Sequence, residues 1–267
     1  MAQSHFTPPS GFVPTGLLID LDGTLIDGAS MMTKRVEDAV RAAAQVVPVA
    51  IVSGREPDDV AHFARHLGLT CPQVADNGAR IVEPASGRTV HEVPMSVADS
   101  RRVVGGLEAR RLRYYAVDDG RVARAWTEFS AWRVTVIAAH AVDEATCSKL
   151  IADLANGEAQ AVPSTDAIGA YWYANFTRSG VSKGYGAKYF SRLTGADLRG
   201  TVAIGDSHND LPMFAEVGLP VAMGHARQDV RQAARVVVGS LAEDGVAEAI
   251  ESFVLRPDKW SRRAARG

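Results

Sequence analysis

Cysteine is scarce in this 267-residue chain. The two present, Cys71 and Cys147, are neither clustered nor in a CxxC, so no disulfide framework is expected. They read as reduced, small buried residues of a cytoplasmic protein. Net charge is nearly absent as well, at −2, which gives no general case for nucleic acid or an anionic membrane as partner. No run approaches the ~18 apolar residues of a membrane span. The start, "MAQSHFTPPSGFVPTG", lacks a basic segment followed by an apolar one, so no signal peptide is expected. Lysine is rare beside arginine, so each lysine is more informative than usual. Apolar residues are plentiful at 46%, enough for a core in one large domain or two smaller ones.

Strand and helix patterns alternate at both ends of the chain. "TGLLID" (15–20) and "VPVAIVS" (47–53) read as buried strands. Residues 33–45 and 57–68 read as helices; the second carries Val60, Phe63, Ala64 and Leu67 at spacing i, i+3, i+4, i+7. A helix at 181–195, a strand at 200–206 and a helix at 208–218 resume the rhythm, and a last helix is expected near 241–254. This order implies a parallel sheet wrapped by helices. The middle differs. Short strands at 113–117, 121–126 and 133–138, a hairpin turn at "DDG" (118–120), and helices at 96–111 and 142–155 make an inserted α+β pattern.

In open α/β sheets, ligands bind beyond the carboxyl ends of the strands. Four such places carry polar groups: Asp20-Leu21-Asp22-Gly23-Thr24, Ser53-Gly54-Arg55, Lys183 after "SGVS", and "GDSHND" (205–210). Two aspartates ending neighbouring strands suit Mg²⁺, which prefers oxygen ligands. Aspartate is also a known nucleophile for phosphoryl groups. Asp22, two residues on, suits general acid–base work. A lysine in the first turn of a helix opposes the helix dipole, so Lys183 makes sense if an anion sits there. Ser53 and Gly54 can donate hydrogen bonds to phosphate oxygens at another helix start.

"DLDGTL", "VSGR", "SGVSKG" and "GDSHND", in this order, resemble the four signature motifs of the haloacid dehalogenase-like hydrolases. The long insert, together with "DNGA" (76–79), resembles the Cof-like, sugar-phosphatase branch with a large α/β cap. The resemblance implies a doubly wound, Rossmann-like α/β core at 15–83 and 179–255 with an α+β cap at 84–178. A flexible arm (1–14) and a basic tail (256–267) flank them. It implies a Mg²⁺-dependent phosphatase acting on a small phosphorylated metabolite through an aspartyl-phosphate. That metabolite would be a sugar phosphate, phosphoglycolate or a phosphoglycerate derivative. Asp20 would be the nucleophile and Asp22 the acid/base. Asp20, the Asp22 carbonyl and Asp206 would hold the metal, with Asn209 or Asp210 in or behind that shell. Ser53, Gly54 and Lys183 would bind the phosphoryl group. The rivals are a phosphomutase on the same scaffold and a non-catalytic binding protein.

Several residues carry two readings. Asn77 either permits a turn or serves the site. Arg55 either touches substrate or is solvated at a helix start. His62 and His66, four apart, are a solvated helix face rather than a metal pair. Between 101 and 133 eight arginines face four acids. They either attract a substrate more anionic than one phosphate or form an ordinary cap surface. Arg124, Trp126 and Arg133 are the cap residues chosen for substrate contact. The oligomeric state is open.

Overall fold

The computed structural model describes residues 12–141, 143–166 and 171–256. The arm expected at 1–14 and the tail expected at 256–267 fall largely outside the described residues. Among the described residues no helix is long and apolar enough to cross a membrane.

The chain opens with β1 (Gly16–Ile19), α1 (Lys34–Ala43), β2 (Val49–Ile51) and α2 (Pro57–His66). Thr33 caps α1 by accepting the N–H of Val36, and Val36, Ala39, Val40 and Ala43 form its buried stripe. A small antiparallel sheet follows, β3 (Gln73–Ala75), β4 (Arg80–Val82) and β5 (Thr89–Glu92). Sequence periodicity does not reveal these strands, because each has only three or four residues. Next come α3 (Val97–Ala109), β6 (Tyr114–Asp118), β7 (Arg121–Ala123), β8 (Val134–Ala141) and α4 (Glu144–Leu154). The "DDG" turn is a two-residue hairpin: Asp118 pairs with Arg121, while Asp119 and Gly120 have φ of 50° and 82°. The strand expected at 121–126 stops at Ala123, and a 3₁₀ turn begins at Trp126. Two further strands, β9 (Ala159–Thr165) and β10 (Trp172–Arg178), complete a five-stranded antiparallel sheet in the order β7-β6-β8-β10-β9.

The parallel pattern then returns with α5 (Lys183–Thr194), β11 (Thr201–Gly205), α6 (Leu211–Phe214), β12 (Leu219–Ala222), α7 (Gln228–Ala233), β13 (Val236–Val237) and α8 (Gly245–Phe253). The helix expected at 208–218 is instead a 3₁₀ turn, His208–Asp210, and the four-residue α6. The polar "SHND" segment spends its hydrogen bonds on loop closure, which delays the helix start.

The core sheet is parallel in the order β13-β12-β11-β1-β2. Alternation along β1 splits its side chains between two faces. Leu17 and Ile19 pack with α1, α2 and α8, while Leu18 packs with α5, α6 and α7. The expected doubly wound core with an added α+β sheet is therefore what forms. The chain leaves β1 toward β2 and leaves β11 toward β12, so a crevice opens between the ends of β1 and β11.

Candidate active site

Asp20 and Asp206 follow β1 and β11 directly and so meet across that crevice. Two glycines let the loops close. Gly23 has φ of +78°, and a Cβ there would lie 2.6 Å from Asp206 Oδ2. A Cβ on Gly205 would lie 2.5 Å from the Asp210 carboxylate. Thr24 Oγ1 donates to Asp206 Oδ1 at 3.0 Å. The backbone N–H groups of Asp206 and Ser207 both donate to Asp210 Oδ2 at 3.0 Å. Lys183, 1% exposed, donates to Asp210 Oδ1 at 2.7 Å and also to Asp20 Oδ1. The carboxylates are the anions that a lysine at the start of α5 calls for. Asp20, Asp206 and Asp210 bring carboxylate oxygens within 4.8 Å of one another.

Burial pushes the Asp20 carboxyl up to about 7; Asp210 adds to the rise and Lys183 opposes it. Burial, then Asp20 and Asp210, hold Asp206 well above the usual carboxylate range. Burial works against the charge of Lys183, but Asp20 and Asp210 outweigh it and keep the ammonium above its ordinary value. One ammonium cannot balance three converging carboxylates, and the donor set is all oxygen, so the site fits a hard divalent cation. Both oxygens of Asp210 are taken by Lys183 and by backbone N–H groups, which makes it an anchor behind such an ion.

Ser53 follows the β2 region and is 1% exposed. Its backbone N–H donates to Val74 O at 2.9 Å, and its Oγ accepts the Arg55 N–H at 3.1 Å. Asn77 makes the turn that one of its two readings expects. Its φ of 54° makes the turn, and its Oδ1 accepts from Asn209 Nδ2 at 2.9 Å. Asn77 Nδ2 and Asn209 Oδ1 are buried with no protein partner. Arg55 forks onto Asp22 and reaches Asp59 at 3.2 Å. Its side chain is half-buried, and its guanidinium is held by these two acids in this arrangement. His66 pairs with Glu37 at 2.9 Å and His62 packs edge-on against Phe63, so the two do not face a common ion.

A cavity of about 430 Å³ lies between the acid cluster and the antiparallel sheet. Asp20, Asp22, Gly54, Arg55 and Asn209 line it from below; Tyr115, Arg124, Ser164, Tyr173 and Asn175 line it from above. The cap rests on the core through Tyr115 Oη to Gly54 O at 3.3 Å, Thr165 N to Ser207 Oγ at 3.1 Å and Thr135 Oγ1 to Asp76 Oδ2 at 2.7 Å. Arg227 adds an ion pair to Glu144 at 3.0 Å and lies 5.0 Å over the Trp172 ring.

Of the cap residues chosen from sequence, Arg124 lines the cavity, while Trp126 and Arg133 do not. Trp126 turns outward, 43% exposed, and packs on Trp132 at 4.6 Å. Arg133 pairs with Glu92. The local arginine excess does not converge on the cavity either: Arg102 pairs with Asp99, Arg110 with Asp153, and Arg101 lies over Trp132. Sequence reading missed Tyr115, Tyr173 and Asn175. The signal was alternation in "WYANFTR": Trp172, Ala174 and Phe176 enter the cap core, which turns Tyr173 and Asn175 to the cleft.

The haloacid dehalogenase-like hydrolase family model matches residues 17–127 and 127–250. The phosphoglycolate phosphatase of Halorubrum lacusprofundi is 29% identical over 250 residues, covering 91% of this chain and 98% of that one. The pyridoxal phosphate phosphatase YbhA of Escherichia coli is 24% identical over 271 residues, covering 90% and 98%. The solved structure of the subclass IIB sugar phosphatase BT4131 superposes with a TM-score of 0.75 at 19% identity, over 89% of this chain and 98% of that one. The family model spans both halves of the molecule and the matched relatives are named phosphatases: the chain belongs to the haloacid dehalogenase-like hydrolases, as a phosphatase-type member.

Proposed function

We propose that this chain is a cytoplasmic, Mg²⁺-dependent phosphatase that hydrolyses a small phosphorylated metabolite through an aspartyl-phosphate on Asp20. The observation that carries this is the buried convergence of Asp20, Asp206 and Asp210 around one lysine, at the floor of a metabolite-sized cavity. In this reading residues 15–83 and 179–255 are the catalytic core and 84–178 the cap.

Asp20, Asp206 and the Asp22 carbonyl would hold Mg²⁺, with Asp210 and Asn209 behind. When bound, it would supply the positive charge that offsets repulsion between the Asp20 carboxylate and the phosphoryl oxygens. Asp20 attacks phosphorus and the ester oxygen leaves. Lys183 holds Asp20 in position and offsets charge on the phosphoryl group. Ser53 Oγ and the Gly54 backbone donate to phosphoryl oxygens. Asp22 protonates the leaving oxygen, then takes a proton from the water that attacks the aspartyl-phosphate, regenerating the Asp20 carboxylate. The cap excludes bulk water while the cleft is closed.

The test is turnover of p-nitrophenyl phosphate and of a panel of phosphorylated metabolites, with Mg²⁺ and with a chelator. Metal-dependent release of phosphate is expected. No turnover on any of them would leave a binding protein on this fold.

A further inference from the structure

We propose that Asp76 is a positioning residue through which the seating of the cap sets the geometry of the loops around the phosphoryl group. This deepens the phosphatase reading and rests on it. It gives the closed cap a part in the chemical step besides shutting out water.

The turn Asp76–Gly78 braces the site from behind. The Asp76 N–H donates to Arg55 O at 3.0 Å and the Asn77 N–H to Ser53 O at 2.9 Å, so the turn fixes both ends of the Ser53–Arg55 loop. Asn77 Oδ1 accepts from Asn209 Nδ2 at 2.9 Å, which ties the turn to the loop after β11. Gly78 has φ of +98°, and a Cβ there would stand 2.0 Å from the carbonyl oxygen of Ser182, the residue that opens α5 before Lys183. Asp76 and Asn77 hold left-handed φ angles of 51° and 54°. Such angles are costly outside glycine and persist where the surroundings over-determine them.

The cap holds the same turn by the Asp76 side chain, which is fully buried. Thr135 Oγ1, from β8, donates to Asp76 Oδ2 at 2.7 Å. Arg80 lies 3.3 Å from the same oxygen and 3.0 Å from Glu92, and Glu92 pairs with Arg133. Two routes thus run from Asp76 to the start of β8. Burial pushes the Asp76 carboxyl up to about 7, and the Thr135 hydrogen bond is the first of the contacts that draw it back. With the cap lifted, Asp76 loses Thr135. The Ser53–Arg55 loop, Asn209 and the start of α5 then lose a common brace, and displaced donors no longer match a phosphoryl group in transfer.

The experiment uses Thr135→Val, which removes the hydroxyl and keeps the shape, and Thr135→Ser, which keeps the hydroxyl. The readouts are kcat and KM for p-nitrophenyl phosphate and, without turnover, the dissociation constants of inorganic phosphate and orthovanadate with Mg²⁺ present. Vanadate takes up the trigonal-bipyramidal shape of the transferring phosphoryl group; phosphate does not. In Thr135→Val, kcat is expected to fall and the vanadate constant to rise, each by at least about tenfold, the scale of one lost hydrogen bond to a charged group. KM and the phosphate constant should move by less than about threefold, and Thr135→Ser should stay near the wild type. A loss of folded protein alone would lower kcat without moving the vanadate constant. Asp76→Asn probes the link from the core side, with the same expected direction, and decides the matter if Thr135→Val does not fold. Unchanged vanadate binding in the folded variant, or equal losses in Thr135→Ser and Thr135→Val, would overturn the proposal. Failure of the phosphatase reading shows up separately, as no turnover of p-nitrophenyl phosphate by the wild-type protein.

Discussion

Arg55 grips both carboxylate oxygens of Asp22, with Nη2 2.7 Å from Oδ1 and Nε 2.9 Å from Oδ2. A two-point fork of this kind fixes orientation as well as charge. It leaves Asp22 one direction from which to approach a leaving oxygen. Arg55→Ala should therefore lower kcat on alkyl phosphates by roughly 10-fold or more, the scale of a displaced acid–base group. KM should change little. p-Nitrophenyl phosphate, whose leaving group needs little protonation, should lose far less. Equal losses on both substrates would mean that Arg55 acts on something other than Asp22.

Asp20→Asn should abolish turnover on every substrate, because an amide cannot form the acyl-phosphate. The fold should survive. Burial and Asp210 already work against the Asp20 charge, so removing it relieves a cost even as Lys183 loses a partner. The expected melting temperature is equal to or above that of the wild type without metal. A rate like that of the wild type would remove Asp20 from the nucleophile role.

Lys183→Ala should do damage of two kinds. It leaves Asp20 and Asp210 buried without their cation, and breaking one side of a buried ion pair costs about 3–5 kcal/mol. It also removes charge stabilisation at phosphorus, for a rate loss of at least ~10²-fold. Denaturant melts and steady-state rates separate the two. A change below about threefold in rate would exclude a role in stabilising the transition state.

Metal binding should depend on pH with a definite sign. Without metal, the folded-state pKa of Asp20 lies near 7 against an ordinary value of 3.8. Between those values the folded chain keeps a proton that the unfolded chain has released. Apo stability therefore falls as pH rises through that window. A cation binds deprotonated carboxylates, so Mg²⁺ affinity should rise with pH while Asp20 and Asp206, both held above the usual carboxylate range, give up their protons. Melting curves across pH, with and without Mg²⁺, measure both slopes. A pH-independent stabilisation by Mg²⁺ would place the ion elsewhere.

Arg227 ties the cap to the core through Glu144 and Trp172. Arg227→Ala should loosen the closed cap, raising KM and making product release faster, with little effect on melting temperature. An exposed pair contributes roughly 0–1 kcal/mol. Stopped-flow measurement of product release checks this; an unchanged release rate would mean that other contacts hold the cap.

Much of the site was legible because strand-end chemistry is local. "LLIDLDGT" and "AIGDSHND" each place an apolar strand directly before polar groups, and a buried carboxylate in such a place needs a reason. Lys183 was legible as a cation at the wrong end of a helix. The cap contacts were not, because a face is assigned only once a strand's partners are known. The strands β3–β5, of three or four residues each, are too short to stand out alone, and the alternation in β10 assigns a face only once its pairing with β8 and β9 is known. Trp126 and Arg133 attracted attention by residue type, and their neighbours Trp132 and Glu92 turned out to satisfy them.

By itself, the order of residues determined the parallel core, the inserted sheet and the identity of the acids at the strand ends, since these follow from periodicity and from the cost of burying charge. Only the tertiary structure decided which cap side chains face the cleft, that Arg55 is spent on Asp22, and that cavity charge is mostly negative. Those facts depend on pairing between segments far apart in the chain, where geometry rather than composition selects each group's partner.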